Sequence, residues 1–292
     1  MEQNRTQCDF SNSESWVILT EIEQSIKRKI EAIGTPLKDW DIQINYGIKT
    51  GFNDAFIIST EKRNEILDNC KSEEERRRTE ELIRPILRGR DIKRYGYDWA
   101  GLYLIWIPWH FPLHQDQSIQ GASMKAEQAF IEQYPAVYQH LLQYKDKLSA
   151  RNKAETGIRY EWYALQRWGA NYWEDFGKPK IIFQEIVQES QFMIDESIHF
   201  FCNDTCRIIT GDHLNFLIKV LNSNLFFYCV KHFYGGGKLG ENGVRMKHTF
   251  FSNFPCVPPH KSLINIDDDL LINQCIYELY GLSDEEIYFI EN

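Results

Sequence analysis

Residues 180–187 read KIIFQEIV, an apolar run of β-branched and aromatic side chains that predicts a strand. Two more short runs follow, at 192–194 and 207–210, and predict two further strands. Downstream the pattern turns helical. Asp212 is placed to cap a helix over 213–221, a second helix follows over 225–233, and 255–259 is extended. The final stretch predicts a helix reaching about Tyr280, then a short one capped by Ser283 with Glu286.

Upstream, Leu19, Ile22, Ile26, Ile30 and Ile33 recur at helical spacing, with Ser13 a candidate N-cap and Gly34-Thr35-Pro36 a stop. Segments 42–46 and 55–58 predict strands joined by a Gly-containing loop. Ser72 with Glu75 predicts a capped helix ending near Leu82, and Pro85 keeps Arg84 extended. Segment 103–107 predicts a buried strand, and Pro135 interrupts a helical pattern over 123–148. No alternating strand–helix–strand rhythm and no low-complexity linker appears, so the fold class is α+β with short strands and several peripheral helices.

With 292 residues, 43% hydrophobic and 26% charged, the chain is long and apolar enough for a substantial core. Its formal charge of -9 is unevenly spread. Eight acids and no Lys or Arg lie between 266 and 292, so the rest is close to neutral. Local basic stretches, which the total conceals, therefore set the field a polyanion would meet. Seven cysteines, odd in number and irregularly spaced, argue against a secreted disulfide scaffold. Cys202 and Cys206 with Cys229 and His232 could be drawn as a zinc site, but core thiols are the simpler reading. The polar N-terminus and the lack of any run of ~18 apolar residues indicate neither export nor a membrane span, hence a cytoplasmic protein.

Cofactor and hydrolase motifs fail one by one. GGGKLG at 235–240 lacks the glycine at 232 and the Ser or Thr at 239 that a phosphate loop needs, and no GxGxxG follows a strand. There is no GxSxG. His110 and His114 enclose Pro112, which spoils a helical zinc pair. Asp91-Ile92-Lys93 has the acid-x-Lys spacing of a metal-dependent nuclease, a rival reading, although Asp91 is also placed to fix an arginine.

What remains is three basic–aromatic constellations. One joins Lys49, Thr50, Gly51, Phe52 and Asn53 to the stretch RPILRGRDIKRYGY at 84–97, which carries Arg88, Arg90, Lys93 and Arg94. The second, 151–173, crowds Arg159, Tyr160, Trp162, Tyr163, Gln166, Arg167 and Asn171; Trp162 and Tyr163 are as well suited to the core as to a ligand. The third, 231–247, holds Lys231, Lys238, Arg245 and Lys247 against Glu241. Cations on loops neutralise phosphates, and Arg, Gln and Asn pair in two-pronged fashion with purine edges.

In order along the chain, GIKTGFNDAFII (47–58), RPILRGRDIKRY (84–95), YLIWIP (103–108), EWYALQR (161–167), KPKIIFQEI (178–186), LIKVLNSNLFFYCVKHFYGG (217–236) and IYELYGLSDEEI (276–287) complete the pattern. With them the chain resembles the TaqI-like C-terminal specificity domain of N6-adenine DNA methyltransferases, including type IIG restriction–methylation enzymes. The resemblance implies a target recognition domain that reads double-stranded DNA, mainly through the major groove. A separate domain or subunit would bind S-adenosylmethionine and methylate a flipped adenine. It places Lys49, Thr50, Gly51 and Phe52 in the first signature loop, and Arg88, Gly89, Arg90, Asp91 and Lys93 in the second. The methylating loop, Asn/Asp-Pro-Pro-Tyr in type, has only Cys256-Val257-Pro258-Pro259-His260 as a counterpart, without the amide or acid and without the ring. The chain is therefore expected to be non-catalytic and to hold no cofactor of its own.

The expected organisation is a helical segment over 1–40, a DNA target recognition domain over 41–260, and an acidic helical tail over 261–292 packed on it. Phosphate contacts are expected from Lys49, Arg88, Arg90, Lys93, Arg94, Lys238, Arg245 and Lys247. Base readers are expected among Arg159, Gln166, Arg167 and Asn171, in loops such as 109–122 and 150–172. A third reading is a protein-interaction subunit that docks on a methylase through the acidic tail.

Overall fold

In the computed structural model, which describes residues 19–235, 238–239 and 243–292, four strands make a central antiparallel sheet. Their order is Phe192–Asp195, Lys180–Gln184, Cys206–Gly211, Ile42–Tyr46. Successive side chains on a strand point to opposite faces. Ile182, Met193 and Ile208 enter one apolar cluster, while Ile181, Phe183, Phe192 and Ile209 enter another. Both faces are covered, which is why the 180–187 run is continuously apolar rather than alternating. It is not one strand, however. The chain turns at Glu185, and Ile186–Val187 leaves the sheet to pair with Gly243–Arg245 in a separate ribbon.

The first cluster rests on a second sheet, ordered Phe201–Cys202, Ile83–Leu87, Leu102–Ile105, Ile57–Ser59, with helices Thr60–Asp68, Glu73–Leu82, Met124–Gln133 and Pro135–Leu142 around it. The other is helical, built by Glu21–Ile33, Leu214–Leu221, Asn224–His232, Asp269–Leu279 and Asp284–Glu291. The fold is α+β.

Local chemistry explains most element ends. Thr20 and Glu23 close a capping box on the first helix, as Ser283 and Glu286 do on the last. Ser13 lies outside the described residues. Pro135 opens its helix at the first position, where its missing N–H costs nothing. Two expectations are corrected. Segment 53–56 is a helical turn, so the strand predicted over 55–58 starts only at Ile57. Asp212 does not cap its helix; its N–H bonds the Asp41 carbonyl at 3.0 Å, extending the strand pairing, and His213 makes the turn at φ 59°.

The acidic tail is tied to the body by charge as well as packing. Arg94 reaches Asp269 at 2.9 Å, Lys219 reaches Asp267 at 2.9 Å, and Lys29 reaches Glu286 at 2.7 Å. Cys202 and Cys206 lie in the first cluster and Cys229 in the second, with the central sheet between them, so they are separate core thiols. Burial pushes the Cys206 and Cys229 thiols well above the usual range. Trp162 and Tyr163 also belong to the core. No described helix is long and apolar enough to cross a membrane.

Candidate nucleic-acid interface

At one end of the central sheet lie Tyr46, Gln184, Cys206 and Phe192, and there the basic segments gather. Beyond Tyr46 the chain hugs the sheet: the Gly47 N–H donates to the Cys206 carbonyl at 3.1 Å and the Ile48 N–H to that of Cys202 at 2.8 Å. A Cβ on Gly47 would sit 1.9 Å from the Asn203 carbonyl oxygen, so only glycine permits this approach. Lys49 and Arg167 exchange backbone hydrogen bonds at 3.0 and 2.9 Å, joining the first constellation to the second. Gly89 donates to the Thr205 hydroxyl at 3.0 Å, and Met246 to the Glu185 carbonyl at 2.6 Å. Arg245 stands opposite Ile186 in the ribbon. Segments distant in sequence are thus fastened to one edge by main-chain donors, three of the four through main-chain acceptors and Gly89 through the Thr205 hydroxyl.

The side chains divide into two groups. Lys49, Arg90, Arg245 and Lys247 are exposed; the first three meet no carboxylate within ion-pair distance among the described residues, and the Lys247 ammonium lies over the Phe250 ring at 5.2 Å. Arg159 and Arg167 are also exposed, at 60% and 50% of their side chains, and share Glu155 at 3.1 and 3.0 Å. The hydrogen bond from Arg167 is the main cause that holds the Glu155 carboxyl below its ordinary range. Arg159 also caps Trp109, whose ring stacks on Tyr160. Gln166 and Phe52 are half-buried, with Lys147 over the Phe52 ring at 5.3 Å.

Others are occupied in bracing the fold. Thr50 is buried; its hydroxyl donates to Asn53 at 2.6 Å and accepts from the Phe52 N–H. Arg88 grips Asp91 with two guanidinium bonds of 2.9 and 2.8 Å, and the Arg88 N–H adds a third at 2.8 Å. Burial opposes charge on Asp91, yet these donors outweigh it and lower the carboxyl. Both oxygens are engaged by Arg88, and among the described residues no further His, Cys, Asp or Glu joins this acid in a metal-holding cluster. Asp91→Ala is expected to cost about 1.5–3 kcal/mol in stability, because it strands a charged donor and a main-chain N–H, with no effect on any DNA cleavage. Urea unfolding and a magnesium-supplemented cleavage assay measure the two parts.

Arg94 is held by Asp269 and the Asn222 carbonyl on the helical side of the molecule. Lys93 is exposed beside Asp98 at 3.7 Å. Asn171 lies in a separate groove of about 630 Å³ with Gln43, Asn45, Glu174, Asp175 and Lys178, where Lys178 is already bound to Asp175. Lys238 pairs through its backbone with Val244; its side chain lies outside the described residues.

Sequence reasoning missed Arg151, the residue that holds the first two constellations together. Its guanidinium donates to the carbonyls of Leu148 (3.0 Å), Thr50 (2.5 Å), Trp162 (2.7 Å) and Ala164 (2.8 Å). No carboxylate accompanies it among the described residues, and burial pushes its pKa down to about 10. Arg207 was missed as well: it lies over the Tyr46 ring at 4.0 Å and pairs with Glu185. In sequence Arg151 stands in a polar stretch and looks solvated, and Arg207 heads an apolar run that marks the strand but not the partner of its charge.

The TaqI-like C-terminal specificity domain matches this chain over residues 84–239. No curated protein matches it. Among solved structures, the Type IIL restriction-modification enzyme MmeI, in complex with DNA, superposes with a TM-score of 0.53 at 14% identity over 88% of this chain. The type IIG restriction endonuclease BpuSI gives 0.46 at 15% identity over 90% of it. The chain spans 35% of MmeI and 28% of BpuSI, about a third of each. At that identity the likeness to MmeI shows a shared fold.

Proposed function

The chain belongs to the TaqI-like C-terminal specificity domains, and from that membership we propose that it is the DNA-recognition module of a site-specific N6-adenine methyltransferase or restriction–modification enzyme. It works in the cytoplasm on double-stranded DNA, beside a methyl-transfer domain or subunit. The observation that carries this reading is the gathering of Lys49, Arg90, Arg167, Arg245 and Lys247 at one end of the central sheet, on segments that cannot move apart without breaking main-chain hydrogen bonds. A rigid edge lined with cations neutralises a row of phosphates at little ordering cost. MmeI, solved with DNA bound, shares the fold and so supports the same direction.

Methyl transfer itself falls to the partner. The only approach to the base-gripping loop is 256–260. There Cys256 is buried in a strand against Thr35, and the Val257 N–H is bound by the Tyr280 hydroxyl. Those residues do not fit S-adenosylmethionine or a flipped base, which belong to the domain alongside.

Binding to duplex DNA should weaken linearly in log–log form with salt, with a slope of about -0.9 for each phosphate engaged. Lys49→Ala, Arg90→Ala and Arg245→Ala should each flatten that slope by about 1 unit. Fluorescence anisotropy over a salt series measures it. A wild-type affinity indifferent to salt removes the reading.

A further inference from the structure

Of the two grooves near the basic edge, electrostatics singles out one. The groove holding Asn171 is bordered by Glu174 and Asp175, and its Lys178 is already neutralised. The other, about 760 Å³, is formed by Gln184, Gln188, Glu189 and Gln191 with Ile186 and Gly243. Two cation-bearing segments adjoin it. Gly89 packs against the Gln184 side chain, which puts the exposed Arg90 next to it, and Arg245 lies across the ribbon from Ile186. The groove is therefore rich in amides, with a single acid, Glu189, and with Arg90 and Arg245 carried on neighbouring segments.

The floor is also organised. Gln184 donates to the Ile186 carbonyl and so holds the bend by which the chain leaves the central sheet. Gln191 donates one amide N–H to Glu189 at 3.0 Å, which leaves its second N–H and its Oε1 unengaged among the described residues. That remaining pair is the set adenine requires: a donor for N7 and an acceptor for the N6 amine. Gln188 is exposed with the same chemistry. Glu189 is exposed too, and on a phosphate-binding edge a carboxylate is repelled by the backbone. It is favourable only where it meets an amino donor, such as cytosine N4. The loop joins a small three-stranded sheet of Lys238–Leu239, Gly243–Arg245 and Ile186–Val187 to the central sheet.

We infer that residues 188–191 read base edges: Gln188 and Gln191 recognise adenine, and Glu189 accepts from an exocyclic amino group. The inference rests on the DNA-recognition reading and assigns its specificity to the loop between Ile186–Val187 and Phe192–Asp195, which the sequence did not mark. Arg159 and Arg167 then serve as flanking contacts rather than as the main readers.

The test is selection from a randomised duplex library by the full chain and by Gln188→Ala, Glu189→Gln and Gln191→Ala, with melting checked for each. Each variant should keep the wild-type melting temperature and salt slope, yet lose about 10- to 100-fold discrimination at one base position. Variants that select the same sequence with undiminished discrimination overturn the inference. A wild-type chain that binds duplexes in a salt-dependent way without sequence preference overturns it too, while the DNA-binding reading stands. A chain that binds no duplex overturns both.

Discussion

Arg151→Ala should lower stability by about 3–5 kcal/mol, seen as a melting temperature reduced by about 5–15 °C in calorimetry. The guanidinium is buried, and its donors satisfy four carbonyls from the 148–151 turn, the 47–53 loop and the 160–167 loop. Removing it leaves those oxygens away from water without partners, and opens a void beside Phe56, whose ring the guanidinium covers at 5.4 Å. Arg151→Lys keeps the charge but offers three donors from a single nitrogen, which cannot span the same acceptors, and should forfeit about half as much. Its pKa direction gives the sign of the pH effect. Burial lowers this cation from the usual arginine range to about 10, so the unfolded chain binds the proton more tightly and stability rises with pH only across that alkaline window. At neutral pH the charge is a cost that the carbonyl bonds must exceed. The variant's deficit measures that excess directly, and a melting temperature within ~2 °C of wild type would show that the loops hold without it. Because Lys49 and Arg167 are placed by these loops, DNA affinity should drop along with stability.

The contrast between Arg151 and the residues read correctly shows what a sequence exposes. Capping boxes, Pro135 and the apolar runs act within a few residues, so the end of the first helix at Ile33, Glu73–Leu82 and the strands of the central sheet could be read locally, whereas the Thr20 cap of the first helix was not. The α+β class followed from their order. Pairing across long separations leaves no such trace. Arg88 and Arg90 are two residues apart in one motif, yet one is locked on Asp91 and the other is exposed without an acid. Only the turn at 89–91, which points the Asp91 carboxylate back at Arg88, distinguishes them. Arg94, three residues further on, is drawn to the acidic tail. The bend at Glu185 was hidden for a related reason: an apolar run reports burial, and 186–187 remains in strand conformation while changing partners. The basic patches were therefore legible as composition. Which of their members reach solvent was decided by acids and carbonyls elsewhere in the chain.

Asp195→Asn should destabilise the protein by about 3–5 kcal/mol while leaving DNA contacts intact in the molecules that remain folded. Lys180 and Asp195 face each other across neighbouring strands, at the end of the central sheet opposite the basic edge. The ammonium is inaccessible to solvent and donates to Asp195 at 2.8 Å and to the Phe176 carbonyl at 3.0 Å. The carboxylate also accepts from the Phe200 N–H at 2.9 Å and from the His199 N–H and Ser197 hydroxyl, both at 3.1 Å, so it folds 196–200 back onto the sheet. Burial pushes the Asp195 carboxyl up, but Lys180 and these N–H groups outweigh it, and the net direction is below 3.8. A carboxyl lowered in the folded state contributes stability that is complete above its unfolded value and fades as pH falls through the folded one. The gap between wild type and Asp195→Asn should accordingly be level at neutral pH and close below about pH 3.8. The double variant Lys180→Met, Asp195→Leu separates the charge from the loop: it removes the stranded ammonium, yet leaves the 199 and 200 N–H groups without an acceptor. It should recover more than half of the loss in urea titrations, and its salt slope on duplex DNA should equal that of wild type. A salt slope altered by either variant would mean that the two ends of the sheet are coupled, and that the cationic edge is not the self-contained surface its main-chain hydrogen bonds make it.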